Sequence, residues 1–249
     1  MRFTKMEGLG NDFVVLRGPC SITAGDVKRL CDRRRGVGAD GVLVVSPIDA
    51  KRVRMQYWNA DGSPAELCGN GLRCSAAFAL QRDLVESSEF TIETAVGPRA
   101  ARVGDDAITV ELGTVRTAAA KRQVSGEMVR EVTVGNPHAV LQVPDTSEAA
   151  VATLGPSIAA AFDDGANIEF LTVRSRGLLE LRVWERGVGE TLACGTGAAA
   201  AAAAARAEGL ADSETTVRLP GGDLKVVLDG DVAWISGPAV FVYEGEWRG

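Results

Sequence analysis

The chain has 249 residues, 46% of them hydrophobic and 24% charged, which suits one large or two modest globular domains with a real core. A formal net charge of −6 argues against a nucleic-acid partner, and no apolar stretch approaches the length of a membrane span. Five cysteines, an odd number with no Cys-x-x-Cys pair and only one histidine beside them, argue against a disulfide framework and against a structural zinc site.

The N-terminus turns charged again at Glu7 and lacks a signal-peptide core, so a cytoplasmic protein is expected. A strand follows Gly10-Asn11, then a helix over 24–34 and a buried strand over 41–45. The next strand ends at Trp58 and runs into a polar, glycine-rich loop over 59–67. Cys68 opens a helix over 69–82, and a meander with a turn near Gly97-Pro98 closes the half. A stretch rich in Ala, Thr and charge between Leu112 and Arg130 marks a domain break. The same order then returns: a strand after Gly135-Asn136, a helix over 146–162, strands over 168–173 and up to Trp184, and a loop over 185–193. Cys194 opens a helix over 195–208, and a turn follows at Gly221-Gly222. A last strand over 239–243 is expected to return to the first half, giving domains of 1–113 with 239–249 and of 114–238.

This recurrence is a duplication. Cys68-Gly69-Asn70-Gly71 and Cys194-Gly195-Thr196-Gly197 lie 126 residues apart, each ten residues after a tryptophan. Gly10-Asn11-Asp12-Phe13 matches Gly135-Asn136-Pro137-His138 at an offset of 125, and Ala39-Asp40-Gly41 matches Ala166-Asn167-Ile168 at 127. The uninterrupted run Ala198 to Ala205 reads as a central buried helix, since a helix without bulky side chains lets strands approach closely.

A Cys-Gly-x-Gly segment at a helix start has a physical consequence. The first amides of the helix lack intrahelical partners, glycine lets an anion approach them, and the helix dipole adds positive potential. The same field is expected to lower the pKa of the cysteine. Two such segments, related by duplication, could place thiols on opposite faces of one carbon, with amides gripping a carboxylate and stabilising enolate-like charge. No dinucleotide fingerprint or Walker-type loop offers other chemistry. Cys20, Cys31 and Cys74 read as ordinary buried thiols.

Several segments together resemble diaminopimelate epimerase. They are Lys5-Met6-Glu7-Gly8-Leu9-Gly10-Asn11-Asp12-Phe13, Asn59-Ala60-Asp61-Gly62-Ser63, Cys68-Gly69-Asn70-Gly71-Leu72-Arg73-Cys74, Gly135-Asn136-Pro137-His138, and Glu185-Arg186-Gly187 through Cys194-Gly195-Thr196-Gly197. The resemblance implies an α+β fold of two similar α/β halves, each a curled, mostly antiparallel sheet around a central helix, with the site in the cleft between them. It implies interconversion of LL- and meso-diaminopimelate without cofactor or metal, by Cys68 and Cys194 as base and acid, Cys68 taking the proton from the LL isomer. By the same resemblance His138 and Glu185 tune the thiols, and Gly69, Asn70, Gly195 and Thr196 hold the reacting carboxylate. Asn11, Asn59, Asn136, Asn167, Glu185 and Arg186 match substrate-binding positions, Arg186 suiting a distal carboxylate. Gly41 stands where some members carry glutamine. The expected partner is the small-molecule substrate, with no nucleic acid and no membrane, and a homodimer is allowed. The alternatives are a related two-cysteine racemase of histidine, proline or hydroxyproline, a Cys194–His138 acyl-transfer enzyme, and a non-catalytic amino-acid binder.

Overall fold

The structure is a computed structural model that describes residues 1–249. The chain divides into two compact units, Met1–Val110 with Gly237–Gly249, and Glu111–Ser236. No helix is long and apolar enough to cross a membrane.

The first unit runs β1 (Arg2–Gly8), β2 (Asn11–Arg17), α1 (Ala24–Cys31), β3 (Gly41–Asp49), β4 (Arg52–Asn59), β5 (Pro64–Ala65), α2 (Gly69–Gln81), β6 (Glu89–Thr94) and β7 (Gly97–Val103). The strand β8 (Ile108–Thr114) carries the chain onward. Next come β9 (Arg116–Thr117), β10 (Arg122–Val124), β11 (Glu127–Val134), β12 (Asn136–Gln142), α3 (Val151–Ala159), β13 (Asn167–Ser175), β14 (Leu178–Glu185) and β15 (Gly189–Thr191). The chain ends with α4 (Gly195–Ala207), β16 (Glu214–Leu219), β17 (Gly222–Asp229), β18 (Val232–Gly237) and β19 (Val240–Glu246), the last paired with β1.

The two units share one topology. In each, a parallel pair (β2 with β3, β12 with β13) is followed by an antiparallel partner (β4, β14), which then takes a further strand in parallel (β6, β16). The helix opened by each cysteine lies against these strands: α2 on β1–β4 and β7, α4 on β9, β11–β14, β16 and β17. Both are buried from their first residue, Gly69 to Ala79 and Gly195 to Ala205. In α4 the alanine run puts only methyl groups on the helix side of the contact with the sheet. The opposite face of each sheet is covered by the other helix. Val27, Leu30 and Cys31 of α1 pack on Val14, Leu16, Val42 and Val44, and Val151 and Ile158 of α3 pack on Ala139, Leu141, Ile168 and Phe170. Strands β3 and β13 are thus covered on both faces, which is why they read as continuous apolar runs.

Two helices end sooner than the periodicity suggests. α1 opens with a capping box between Thr23 and Asp26 but stops at Cys31, where the Asp32 carboxylate turns back to accept the amides of Arg34 and Arg35, each at 2.8 Å. The helix expected over 146–162 is two pieces, a 3-10 turn Thr146–Glu148 capped by Asp145 and then α3, because Ala149 is extended (φ −64°, ψ 132°). The register also corrects the repeat alignment. Phe13 pairs with Gly41, and its counterpart His138 pairs with Asn167. Asn167 therefore answers Gly41, not Asp40, and Glu169 answers Leu43.

Candidate active site

Cys68 is the N-cap residue of α2, its backbone extended and its sulfur accepting the amide of Gly71 at 3.4 Å. Cys194 is the N-cap of α4 in the same way, accepting the amide of Gly197 at 3.4 Å. The duplicated motif thus builds one piece of geometry twice. A thiol replaces the usual Ser, Thr or Asp cap. No group of three or more His, Cys, Asp or Glu side chains is placed to hold a metal ion.

Around Cys68 the neighbours are amides and a cation. Its thiol donates to Asn11 Oδ1 at 3.5 Å, and Asn70 Nδ2 donates to the same oxygen at 3.3 Å. Asn70 Oδ1 in turn accepts from Arg73 Nη2 at 2.8 Å. Arg73 is wholly buried, and its other acceptors are the carbonyls of Gly69 (3.3 Å) and Pro238 (3.1 Å). All three acceptors are uncharged, so this half holds a buried positive charge next to its thiol. Burial pulls the Arg73 guanidinium down from its usual value, while the negative forms of Cys74, Cys68 and Glu7 support it. Asn59 turns its amide onto Ser63 Oγ at 3.0 Å within the loop after β4.

Asn11 also donates to Asp40 Oδ2 at 2.9 Å. Beside it, Asp12 meets Arg33 Nη2 at 2.8 Å and Lys5 Nζ at 2.6 Å, and Lys5 also bonds the carbonyl of Gly38. Burial alone would raise the Asp12 carboxyl, but the bonds from Arg33 and Lys5 outweigh it and hold the group far below the usual carboxylate range. The stabilisation from this cluster is therefore complete above pH ~4 and is lost as pH falls through the depressed native value. Replacing Asp12 with Asn should cost about 1.5–3 kcal/mol near neutral pH. It should also flatten the acid limb of a stability-versus-pH curve measured by denaturant unfolding. An unchanged acid limb would count against the cluster.

Gly41 has a steric explanation. A Cβ there would lie 2.6 Å from the carbonyl oxygen of Trp58 and 2.7 Å from Tyr57 Cε2. The Tyr57 ring fills the space that a glutamine at this position would need.

Around Cys194 the neighbours are carboxyl groups. Glu185, at the end of β14, accepts from the Thr191 hydroxyl at 2.5 Å, and the Thr196 hydroxyl lies 3.5 Å from the sulfur. His138 and Glu169 form a fully buried pair at 2.7 Å, and the other ring nitrogen of His138 lies 2.9 Å from Asn136 Oδ1. Glu169 Oε1 and Cys194 Sγ stand 2.9 and 3.3 Å from the point where a Cβ on Gly197 would sit. Gly197 is therefore glycine because sulfur and carboxylate converge on it. Burial pushes the Cys194 thiol well above the ordinary value, and Glu185 and Glu169 push it further; the Thr196 hydroxyl and the Gly197 amide pull the other way and lose. The helix-start effect expected to favour a thiolate is overridden here, because desolvation and two carboxyl groups outweigh one amide and one hydroxyl. Burial also raises Glu169 and Glu185.

Asn167 is buried and accepts the backbone amide of Arg186 at 2.9 Å, setting the turn that leads out of β14. The Arg186 side chain is exposed and donates to the carbonyl of Asp164 at 3.0 Å. The structure thus brings Asn11 and Asn70 to Cys68, and Glu185 and Thr196 to Cys194, while the Asn59 and Arg186 side chains bond to loop partners. Of the remaining thiols, Cys31 and Cys74 are buried, and burial lifts Cys31 to about 11. Cys20 is exposed, contrary to expectation, because it lies in the turn beyond β2.

Three residues escaped the sequence reading: Arg73, Glu169 and Thr191. The first two carried a signal, a charge set in an otherwise small or apolar run: Leu72-Arg73-Cys74 and Ile168-Glu169-Phe170. Thr191 carried none, since its meaning depends on the turn that folds it back on Glu185.

The duplicated architecture recurs in solved structures. A hydroxyproline epimerase from Agrobacterium vitis superposes with a TM-score of 0.78 at 16% identity, over 98% of this chain and 91% of that one. A probable proline racemase from Agrobacterium radiobacter does so at 0.77 and 15%, over 99% and 92%. At sequence level the match is narrower. The family profile for diaminopimelate epimerase matches residues 3–118 and again 131–246. A diaminopimelate epimerase from Alkalilimnicola ehrlichii is 42% identical over 100% of this chain and 99% of its own. One from Desulforudis audaxviator is 40% identical over 99% of each. The chain belongs to the diaminopimelate epimerase family.

Proposed function

We propose that the chain is an isomerase that interconverts LL- and meso-2,6-diaminopimelate by proton transfer at the α-carbon, with Cys68 and Cys194 as the two acid–base groups. The observation that carries this reading is the pair of cysteine N-caps, each with its sulfur 3.4 Å from the third helix amide. One sulfur, as thiolate, removes the α-proton. The other, as thiol, returns a proton to the opposite face, and the enzyme is left with its proton on the first sulfur. The amides of Gly69, Asn70, Gly195 and Thr196 are assigned to the α-carboxylate, where they stabilise the enolate-like charge. Asn11, Asn59, Asn136, Asn167, Glu185 and Arg186 are assigned to the rest of the substrate, the exposed Arg186 fork to the distal carboxylate.

The electrostatics support one assignment. A buried cation stands near Cys68, and carboxyl groups stand near Cys194. We assign Cys68 as the resting base and, from the family resemblance, as the group that acts on the LL isomer. Such a reaction serves lysine and peptidoglycan-precursor biosynthesis, and we assign the protein to the cytoplasm on that ground.

The test is to incubate LL-diaminopimelate with the protein in heavy water under reducing conditions and to follow α-deuterium by NMR. Deuterium should enter the α-position as the meso isomer appears. Absence of incorporation overturns the reading.

A further inference from the structure

Register and burial single out Glu169. Val15 pairs with Leu43 in the first unit, and Val140 pairs with Glu169 at the same place in the second. The glycines of the cysteine motifs confirm the match: a Cβ on Gly71 would meet Leu43 Cδ2 at 3.3 Å, and a Cβ on Gly197 would meet Glu169 Oε1 at 2.9 Å. A leucine satisfies this position of the fold. A carboxylate does not, since Glu169 is fully buried and its Oε2 has no hydrogen-bond partner. Packing therefore gives no reason for the charge.

The other oxygen does something specific. Oε1 lies 2.7 Å from His138 Nδ1, while Nε2 faces Asn136 Oδ1 at 2.9 Å. With Asn136 so oriented its oxygen can only accept, so Nε2 bears a hydrogen. A further proton must then occupy the short bond between Nδ1 and Oε1, on one atom or the other. The carboxyl group thereby fixes both the ring and its tautomer. The same oxygen and Cys194 Sγ flank Gly197.

The charges on the other faces of α4 are taken. Arg130 pairs with Glu208, Arg174 with Glu180, Arg182 with Glu190, Arg218 with Asp223, Lys225 with Glu214, and Glu131 with Arg122. Arg116 and Asp229 are exposed and Glu127 is half-buried at the start of its strand. That leaves Glu169, Glu185 and His138 as the titratable groups gathered at the sulfur.

We propose that Glu169 is a positioning residue for the reaction: it fixes the His138 ring and its tautomer beside the Gly197 turn that holds Cys194. The proposal rests on the two-thiol reading above.

Two variants test the bond. Glu169→Gln keeps a group that can bond Nδ1 without changing the net charge of the pair; Glu169→Leu removes the bond and installs the side chain that the fold already accommodates at position 43. Glu169→Leu should lower kcat for LL-to-meso conversion by on the order of 10²-fold, the low end of what a positioned acid–base group contributes, with KM little changed and a thermal transition that remains cooperative. Glu169→Gln should restore kcat to within a few-fold of the original. A folded Glu169→Leu protein with the original kcat overturns the proposal.

A measurement on the unaltered protein tests the ring directly. His138 is the sole histidine, so its ring ¹⁵N signals are unambiguous. They should show Nε2 protonated, and a bare Nε2 overturns the proposal without any variant. Failure of the two-thiol reading looks different: the unaltered protein would then bring no deuterium to the α-carbon.

Discussion

Replacing either Cys68 or Cys194 by alanine is expected to lower kcat for epimerisation by on the order of 10³-fold, within the range that a positioned acid or base contributes. The argument is geometric. Each sulfur is held as a helix N-cap by its own Gly-x-Gly turn, so neither can move to cover for the other. The losses should also be non-additive: once one group is gone the transfer cannot finish, and removing the second should cost little more. The Cys68 variant is the more informative. An acyl-transfer enzyme working through Cys194 and His138 would keep most of its activity without Cys68, so a Cys68→Ala protein within a few-fold of the original would sink the two-thiol mechanism. KM should change little in either variant, because the amides assigned to the carboxylate belong to the backbone.

The second large effect is on stability. Gly155 lies in α3 against Trp184, and a Cβ added there would stand 2.6 Å from Cγ, 2.7 Å from Cβ and 2.9 Å from Cδ2 of that tryptophan. In an open helix, exchanging Gly for Ala gains roughly 0.5–1 kcal/mol. Here overpacking costs about 1–3 kcal/mol, and the steric term wins. Gly155→Ala should therefore lower Tm, by about 2–4 °C for each kcal/mol at this chain length. Trp184 pairs with Ile168 and precedes Glu185, so the strain lands beside the carboxyl groups at Cys194. Activity should fall along with Tm. Combining Gly155→Ala with Trp184→Leu should recover part of the loss as a coupling energy. A Tm as high as the original would mean that the tryptophan ring yields freely.

Much of this was legible in the residues. The duplication, the two cysteine helices and the buried alanine helix all follow from local signals: an offset repeated along the chain, glycines behind a cysteine, and eight consecutive alanines. The helix ends were less legible. Asp32 and Asp145 each cap a neighbouring amide, and a side chain that competes with the helix for its own backbone does not show in hydrophobic periodicity.

The electrostatics were the least legible. Helix-start reasoning treats Cys68 and Cys194 as equals, each favoured toward the thiolate. The structure separates them, with Arg73 on the Asn70–Asn11 bond chain to Cys68, and Glu169 and Glu185 about Cys194. Their counterparts in the other half are Ala199, Leu43 and Asn59.

The sequence by itself determined the repeated scaffold, the thiols and the family, because those rest on residue identity and spacing along the chain. Only the tertiary structure separates the surroundings of the two thiols, with a buried guanidinium on the bond chain to Cys68 and carboxyl groups about Cys194. Ionisation depends on burial and on charges brought close from distant strands, and Glu169 comes within reach of Cys194 only when β13 is laid beside α4.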